Sequence, residues 1–168
     1  GFFQEGADGR SDAEEVLEAG LLVAQRSAQE RKLRFLGNLM ANIVFDPSVS
    51  ADEAAFLISQ AESLTFRQLQ LLWIFGNKSQ GNFNLRSDRY DVTRPLGAPL
   101  VSILEEIHDL YRRGMVNGSG HAILGASDVV PDRIQVQGIG GRLYTLMGLG
   151  GPEGISSVEV LEVIPSLS

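Results

Sequence analysis

LVSILEEIHDLYRRGMVNGSGHAILGASDVVPDRIQVQGIGGRLYTLMGL, residues 100–149, decides the fold. Its first third repeats apolar side chains at Leu100, Ile103, Leu104, Ile107, Leu110 and Tyr111, the period of a helix with one buried face. Pro99 suits the first helical position and Gly114 the left-handed stop. Asp109 is spaced to pair with Arg112 and Arg113 about one turn on. Met115 and Val116 then start a short strand into Asn117-Gly118, a strong turn dipeptide. From Ser119 to Asp132 the chain wanders, with Pro131-Asp132 as another turn, and residues 133–137 alternate as a half-buried strand. Ile139, Leu143, Leu146 and Met147 line one face of a second helix, which Gly148 to Pro152 break.

Upstream, helix starts are written as capping boxes, a Ser or Thr with Glu or Gln three residues later. Residues 1–10 have turn composition. Ser11 with Glu14 opens a long helix over 12–45, about 50 Å at 1.5 Å per residue. Leu17, Leu21, Ala24 and Ala28 form its first apolar stripe. Phe35, Leu36, Leu39, Met40 and Ile43 form its second, and Asp46-Pro47 ends it. Gly20 and Gly37 are the expected bend or break points. Ser50 and Glu53 open a second helix, 51–63, with Ala54, Leu57, Ile58 and Ala61 on its buried side. Thr65 and Gln68 open a third, with Leu64 and Leu69 as its hydrophobic staple. That helix is apolar nearly all round from Leu71 to Phe75, so it belongs in the middle of a core. Gly76-Asn77 is its expected end.

Residues 78–98 carry no apolar period and read as a long polar connection, functional or mobile. They hold Lys78, Arg86, Arg89 and Arg94 against Asp88 and Asp91, a locally basic segment. In the tail, Ser156 with Glu159 argues for a helix and four β-branched residues argue for a strand; a short C-terminal helix is the expectation.

With 168 residues the chain has length enough to bury about 70% of its unfolded surface, so no disulfide or metal staple is required. An apolar fraction of 43% is globular rather than disordered. The absence of cysteine removes disulfides, Cys-ligated zinc, iron–sulfur clusters and thiol nucleophiles, and two histidines leave little for imidazole chemistry. The net charge of −7 disfavours nucleic acid, because a duplex demands a segregated basic face. No run approaches the length of a membrane span, and no signal peptide is visible, so a cytoplasmic protein is expected. There is no initiating Met; Gly1 reads as the residue left by tag cleavage, which makes a longer parent chain an expectation.

The order LTFRQLQLLWIF, then ILEEIHDLYRRGMV, then IQVQGIGGRLYTLMGL resembles the winged-helix superfamily of bacterial regulators over about residues 64–149. There an opening helix is followed by a helix ending in a Gly-Leu-Val-like stop, a two-stranded wing, and a helix entered through a glycine. The resemblance implies a mainly α (α+β) fold: an N-terminal helical region, 1–63, followed by a winged-helix-like unit, 64–168, with a small antiparallel β wing. The N-terminal region itself is similar only to helical extensions of uncharacterised bacterial proteins. Two departures stand out. The polar segment 78–98 occupies the place of the family's short middle helix. The helix matching the recognition helix carries Glu105, Glu106 and Asp109, with only Arg112 and Arg113 to meet phosphates, whereas major-groove readers present Arg, Lys, Asn or Gln.

Gln137-Gly138-Ile139-Gly140-Gly141 stands where dinucleotide-binding proteins keep a phosphate turn, but Leu143 occupies the third glycine position and too few residues follow for a doubly wound sheet. A flexible strand-to-helix joint is the plainer reading. Glu105 and His108 have the spacing of a metal-ligand pair, without a second copy to complete a centre. Ser119 beside His121 lies in a turn rather than at a nucleophile elbow. Trp73 and Phe75 read as core rather than as a stacking platform. No catalytic, cofactor or metal site is therefore expected. Partner contacts are expected at Arg86, Arg89, Arg94, Arg112 and Arg113. Self-association is expected through Leu17, Leu21, Ala24 and Ala28, where intramolecular packing on helix 51–63 competes. A protein-interaction or regulatory module is thus the leading reading, with a DNA-binding regulator second and a small-molecule sensor or enzyme third.

Overall fold

The computed structural model describes the backbone of residues 12–168 and the side chains from Glu18 onward except Ala24. Within them the chain is mainly helical: α1 (Asp12–Phe45), α2 (Ala51–Ser63), α3 (Phe66–Gly81), α4 (Ala98–Arg112) and α5 (Gly138–Leu146). One two-stranded antiparallel sheet pairs β1 (Val116–Asn117) with β2 (Gln135–Val136), in the register Val116↔Val136. Two compact units divide between Arg34 and Phe35, so α1 contributes to both.

In the first unit, Leu21, Leu22, Val23 and Leu33 are 58%, 60%, 69% and 59% exposed. Ala28 is half-buried, while the expected cap at Ser11 and the side chains of Leu17 and Ala24 lie outside the described residues. The helix runs through Gly20 and Gly37 without a break, so of the expected bend or break at these positions the break does not occur.

The second unit is built around α3. Thr65 accepts from the Gln68 amide at 3.0 Å while the Gln68 side chain accepts from the Thr65 amide, so the expected capping box forms in both directions. The staple residues Leu64 and Leu69 are both buried, as are Leu71, Leu72, Ile74 and Phe75. Phe35 and Leu39 of α1 and Leu57 and Ala61 of α2 join this core, with the Phe35 and Phe66 rings stacked at 6.4 Å. From α4 come Ile103, Leu104, Ile107 and Leu110, and from α5 Leu143 and Leu146. Met40, expected on the buried stripe, is 48% exposed: it lies one residue round the helix from Leu39, off the core-facing side.

Several boundaries differ from those read in the sequence. Helix α3 runs past Gly76-Asn77 to Gly81 and closes at Asn82, which adopts the left-handed conformation (φ 47°). Gly76 is spared for contact: a Cβ there would stand 2.6 Å from the Tyr144 ring. The connection that follows is shorter than expected, and it is pinned. Leu85 and Tyr90 are buried, the Arg86 amide donates to Leu167 O at 2.7 Å, and the Tyr90 hydroxyl donates to Ser166 O at 2.9 Å.

Helix α4 begins one residue early, at Ala98, so Pro99 takes its second position. Gly114 stops it at φ 70°, as read. The turn after β1 sits one step beyond Asn117-Gly118. Ser119 (φ 48°) and Gly120 (φ 87°) take the left-handed positions, the His121 amide donates to Gly118 O, and Asn117 Oδ1 accepts from Ser119 N at 2.8 Å. Pro131–Arg133 forms a 3₁₀ turn, which trims the second strand to Gln135–Val136. In the tail the Ser156–Glu159 cap forms, yet the chain then makes tight turns and a 3₁₀ segment, Ile164–Leu167, instead of an α-helix. Pro165 lacks an amide for helical bonding, and burying Val160, Val163 and Leu167 suits the tighter winding.

Candidate functional site

The arginines singled out in the sequence fall into separate groups, each with its own acceptors. Arg86 donates to the backbone oxygens of Asp88 and Arg89, both at 3.2 Å, and lies over the Tyr90 ring at 5.1 Å. Burial pushes the Tyr90 phenol above its ordinary pKa, and the Arg86 charge opposes that shift. Arg89 pairs with Asp128 at 3.3 Å. Arg94 pairs with Asp91 at 3.7 Å, and hydrogen bonds from Thr93 hold the Asp91 carboxyl below the usual carboxylate range. Arg112 and Arg113 share Asp109, at 3.4 Å and 2.8 Å, and Arg113 also reaches Ser63. Arg89 and Arg94 of the loop pair with Asp128 and Asp91, Arg112 and Arg113 with Asp109, so the two groups share no carboxylate in these pairs.

The acidic face of α4 is engaged as well. Arg67 donates to Glu106 at 2.6 Å, and the buried Gln68 side chain donates to Asp109 Oδ2 at 2.8 Å. Gln68 thus caps α3 and ties it to α4, a double use that spacing alone does not reveal.

The glycine joint has a packing explanation. Gly138 takes φ 48°, and a Cβ on Gly140 would stand 2.1 Å from Met115 O. These glycines admit the backbone that leads from α4 into β1; they do not need a phosphate to account for them. Ser119 is on an exposed turn, and Trp73 is half-buried against Phe83 with ring centroids 5.8 Å apart. Among the described residues no group of three or more His, Asp or Glu side chains is arranged to hold a metal ion, and no helix is long and apolar enough to cross a membrane.

Two surface features stand out. One is the exposed apolar set on α1 in the first unit. The other is a cleft in the second unit, about 160 Å³, lined by Ser87, Asp88, Arg89, His121, Asp128, Val130 and Arg133. Its walls come from the loop before α4 and from the segment between β1 and β2. The Asp132 amide donates to Arg86 O at 3.0 Å and fastens one wall to the other. Sequence reading identified Arg89 but not the cleft, because the two walls lie some forty residues apart and neither has a periodic pattern. Val44 and Phe45 add a further exposed apolar pair, 78% and 84%, at the end of α1 in the second unit. Comparison with family models, with curated proteins and with solved structures finds no match to the chain.

Proposed function

We propose that the chain is a non-catalytic protein-interaction module of the bacterial cytoplasm, winged-helix-like over residues 64–168, which associates with a second copy of itself through α1. The observation that carries this reading is the run Leu21, Leu22 and Val23, each more than half exposed, with Leu33 in the same state further along. Single exposed leucines are ordinary; Leu22 and Leu33, about three turns apart, fall on one side of the helix with Leu21 and Val23 flanking it, a surface that gains by leaving water. A second copy is the simplest occupant, since it brings the same apolar surface and closes a two-fold pair.

The winged-helix part of the reading rests on order: α3, α4, an antiparallel pair, then α5, which packs on α2 and α3. A protein partner is favoured over DNA because the net charge is −7 and the arginines at the α4 end share a carboxylate. Arg94 and Arg112, with side chains 86% and 67% exposed, remain available to an acidic partner because exposed ion pairs exchange at little cost.

The test is a pair of charge substitutions, Leu22→Glu and Leu33→Glu, followed by sedimentation velocity. Both positions are exposed, so folding should be unchanged within about 0.5 kcal/mol. Loss of a dimer present in the parent chain supports the reading; an unchanged distribution of species contradicts it.

A further inference from the structure

The cleft between residues 87–89 and 121–133 is a built feature rather than a gap between loops. Arg86 holds the backbone oxygens of Asp88 and Arg89, the Asp132 amide holds Arg86 O, and the Lys78 ammonium donates to Asp132 O. Val130, in the lining, and Pro131 next to it are buried. An irregular segment fixed at this many points holds its backbone in a set course, as binding loops on rigid scaffolds do.

The charges in the cleft divide into an ion pair and two exposed charges that pair with no group among the described residues. Asp128 is neutralised by Arg89 at 3.3 Å and also accepts from the Leu124 amide at 3.1 Å. Asp88 and Arg133 line the same cleft, yet among the described residues neither side chain forms an ion pair or a hydrogen bond, with each other or with anything else. His121 and Ser87 add further side-chain groups without side-chain partners among the described residues. A carboxylate and a guanidinium on one small cleft, too far apart to pair directly, match a ligand that carries both signs. The volume of about 160 Å³ equals roughly five waters at about 30 Å³ each, room for a molecule of five to eight heavy atoms.

We propose that this cleft binds a small zwitterion, an α-amino acid with a short side chain, its ammonium on Asp88 and its carboxylate on Arg133. Guanidinium and carboxylate meet in a two-point fork, and the Asp88 carboxylate accepts from the ammonium. His121 and Ser87 bound the space left for the side chain.

Thermal shift and calorimetric titration of the intact chain test this with glycine, alanine and serine, alongside propionate and ethylamine, which each keep one charge. The amino acids should raise the melting temperature in a concentration-dependent way, and the single-charge analogues should not. Asp88→Asn and Arg133→Gln should each weaken the amino acid about ten-fold or more while leaving the ligand-free melting temperature in place. Binding of propionate as tight as alanine, with Asp88→Asn without effect, would make this a plain anion site and overturn the proposal. No response to any amino acid up to tens of millimolar overturns it outright.

Discussion

The Cα of Gly140 faces Met115 so closely that a Cβ would stand 2.1 Å from the Met115 carbonyl oxygen. This contact brings the start of α5 against the end of α4 and lets the Gln137 amide donate to Met115 O at 3.0 Å. Gly140→Ala is therefore expected to destabilise by about 3 kcal/mol, the upper end of overpacking costs, because the neighbour is backbone and cannot rotate away. Gly141→Ala has nothing within 4 Å and should be neutral or slightly stabilising in a helix. Urea unfolding of the pair checks both; equal effects would remove the close approach from the account.

Leu69 and Leu104 are 0% and 1% exposed at the meeting of α3 and α4. Each change to Ala should cost about 2–5 kcal/mol by chemical denaturation. Losses under about 0.5 kcal/mol at both would mean that these faces are not packed as described.

Tyr90 links the loop before α4 to the C-terminus through Ser166 O. Tyr90→Phe should lose about 1 kcal/mol at neutral pH, a typical net hydrogen bond. The pH dependence has a definite sign. Burial raises the folded phenol above its ordinary value of 10.0, so the unfolded chain releases that proton first. The Tyr90 contribution is complete below about pH 10 and is lost as pH rises towards the folded value. Melting curves of parent and Tyr90→Phe should therefore converge in alkali; a gap that widens there would reverse the assignment.

Asp46 sits just after α1, where its carboxylate accepts from the Ser48 hydroxyl at 2.6 Å and the Ser48 amide at 2.9 Å. These bonds hold its pKa below the ordinary 3.8, with desolvation opposing and Arg142 assisting. Its stabilising effect is present above the unfolded value and disappears as pH falls through the folded one. Asp46→Ala should thus be less stable than the parent at neutral pH, and the difference should shrink in acid below about pH 3.8. Parallel acid titrations followed by circular dichroism measure it.

What was legible in the sequence is what closes within a few residues. The Thr65–Gln68 box, the Gly114 stop and the Asp109 pairs with Arg112 and Arg113 all span one turn, and all are present. So is the antiparallel pairing on either side of the irregular segment. The end of α3 is not legible locally because Gly76 answers to Tyr144, 68 positions away, rather than to its own neighbours. The loop before α4 looked mobile because the groups that fasten it, Ser166 and Leu167, belong to the C-terminus. The cleft was hidden for the same reason: Asp88 and Arg133 are brought together by tertiary bonds that leave no period in either segment. Of the expected self-association residues with described side chains, Leu21 is exposed and Ala28 half-buried; Leu22, Val23 and Leu33, which that spacing does not pick out, are exposed as well.

Titration with duplex DNA at low and at physiological salt separates the interaction reading from the regulator reading. Weak or undetectable binding at both is expected, because Arg112 and Arg113 share Asp109 and the chain carries a charge of −7. Tight binding that collapses with added salt would point to phosphate contacts and to the regulator.

The central claim is that exposed Leu21, Leu22, Val23 and Leu33 are covered by a second copy of the chain. Light scattering on the intact protein over a wide concentration range measures this most directly. The expected result is a particle of twice the chain mass that dissociates on dilution. A single-chain mass at every concentration would contradict it.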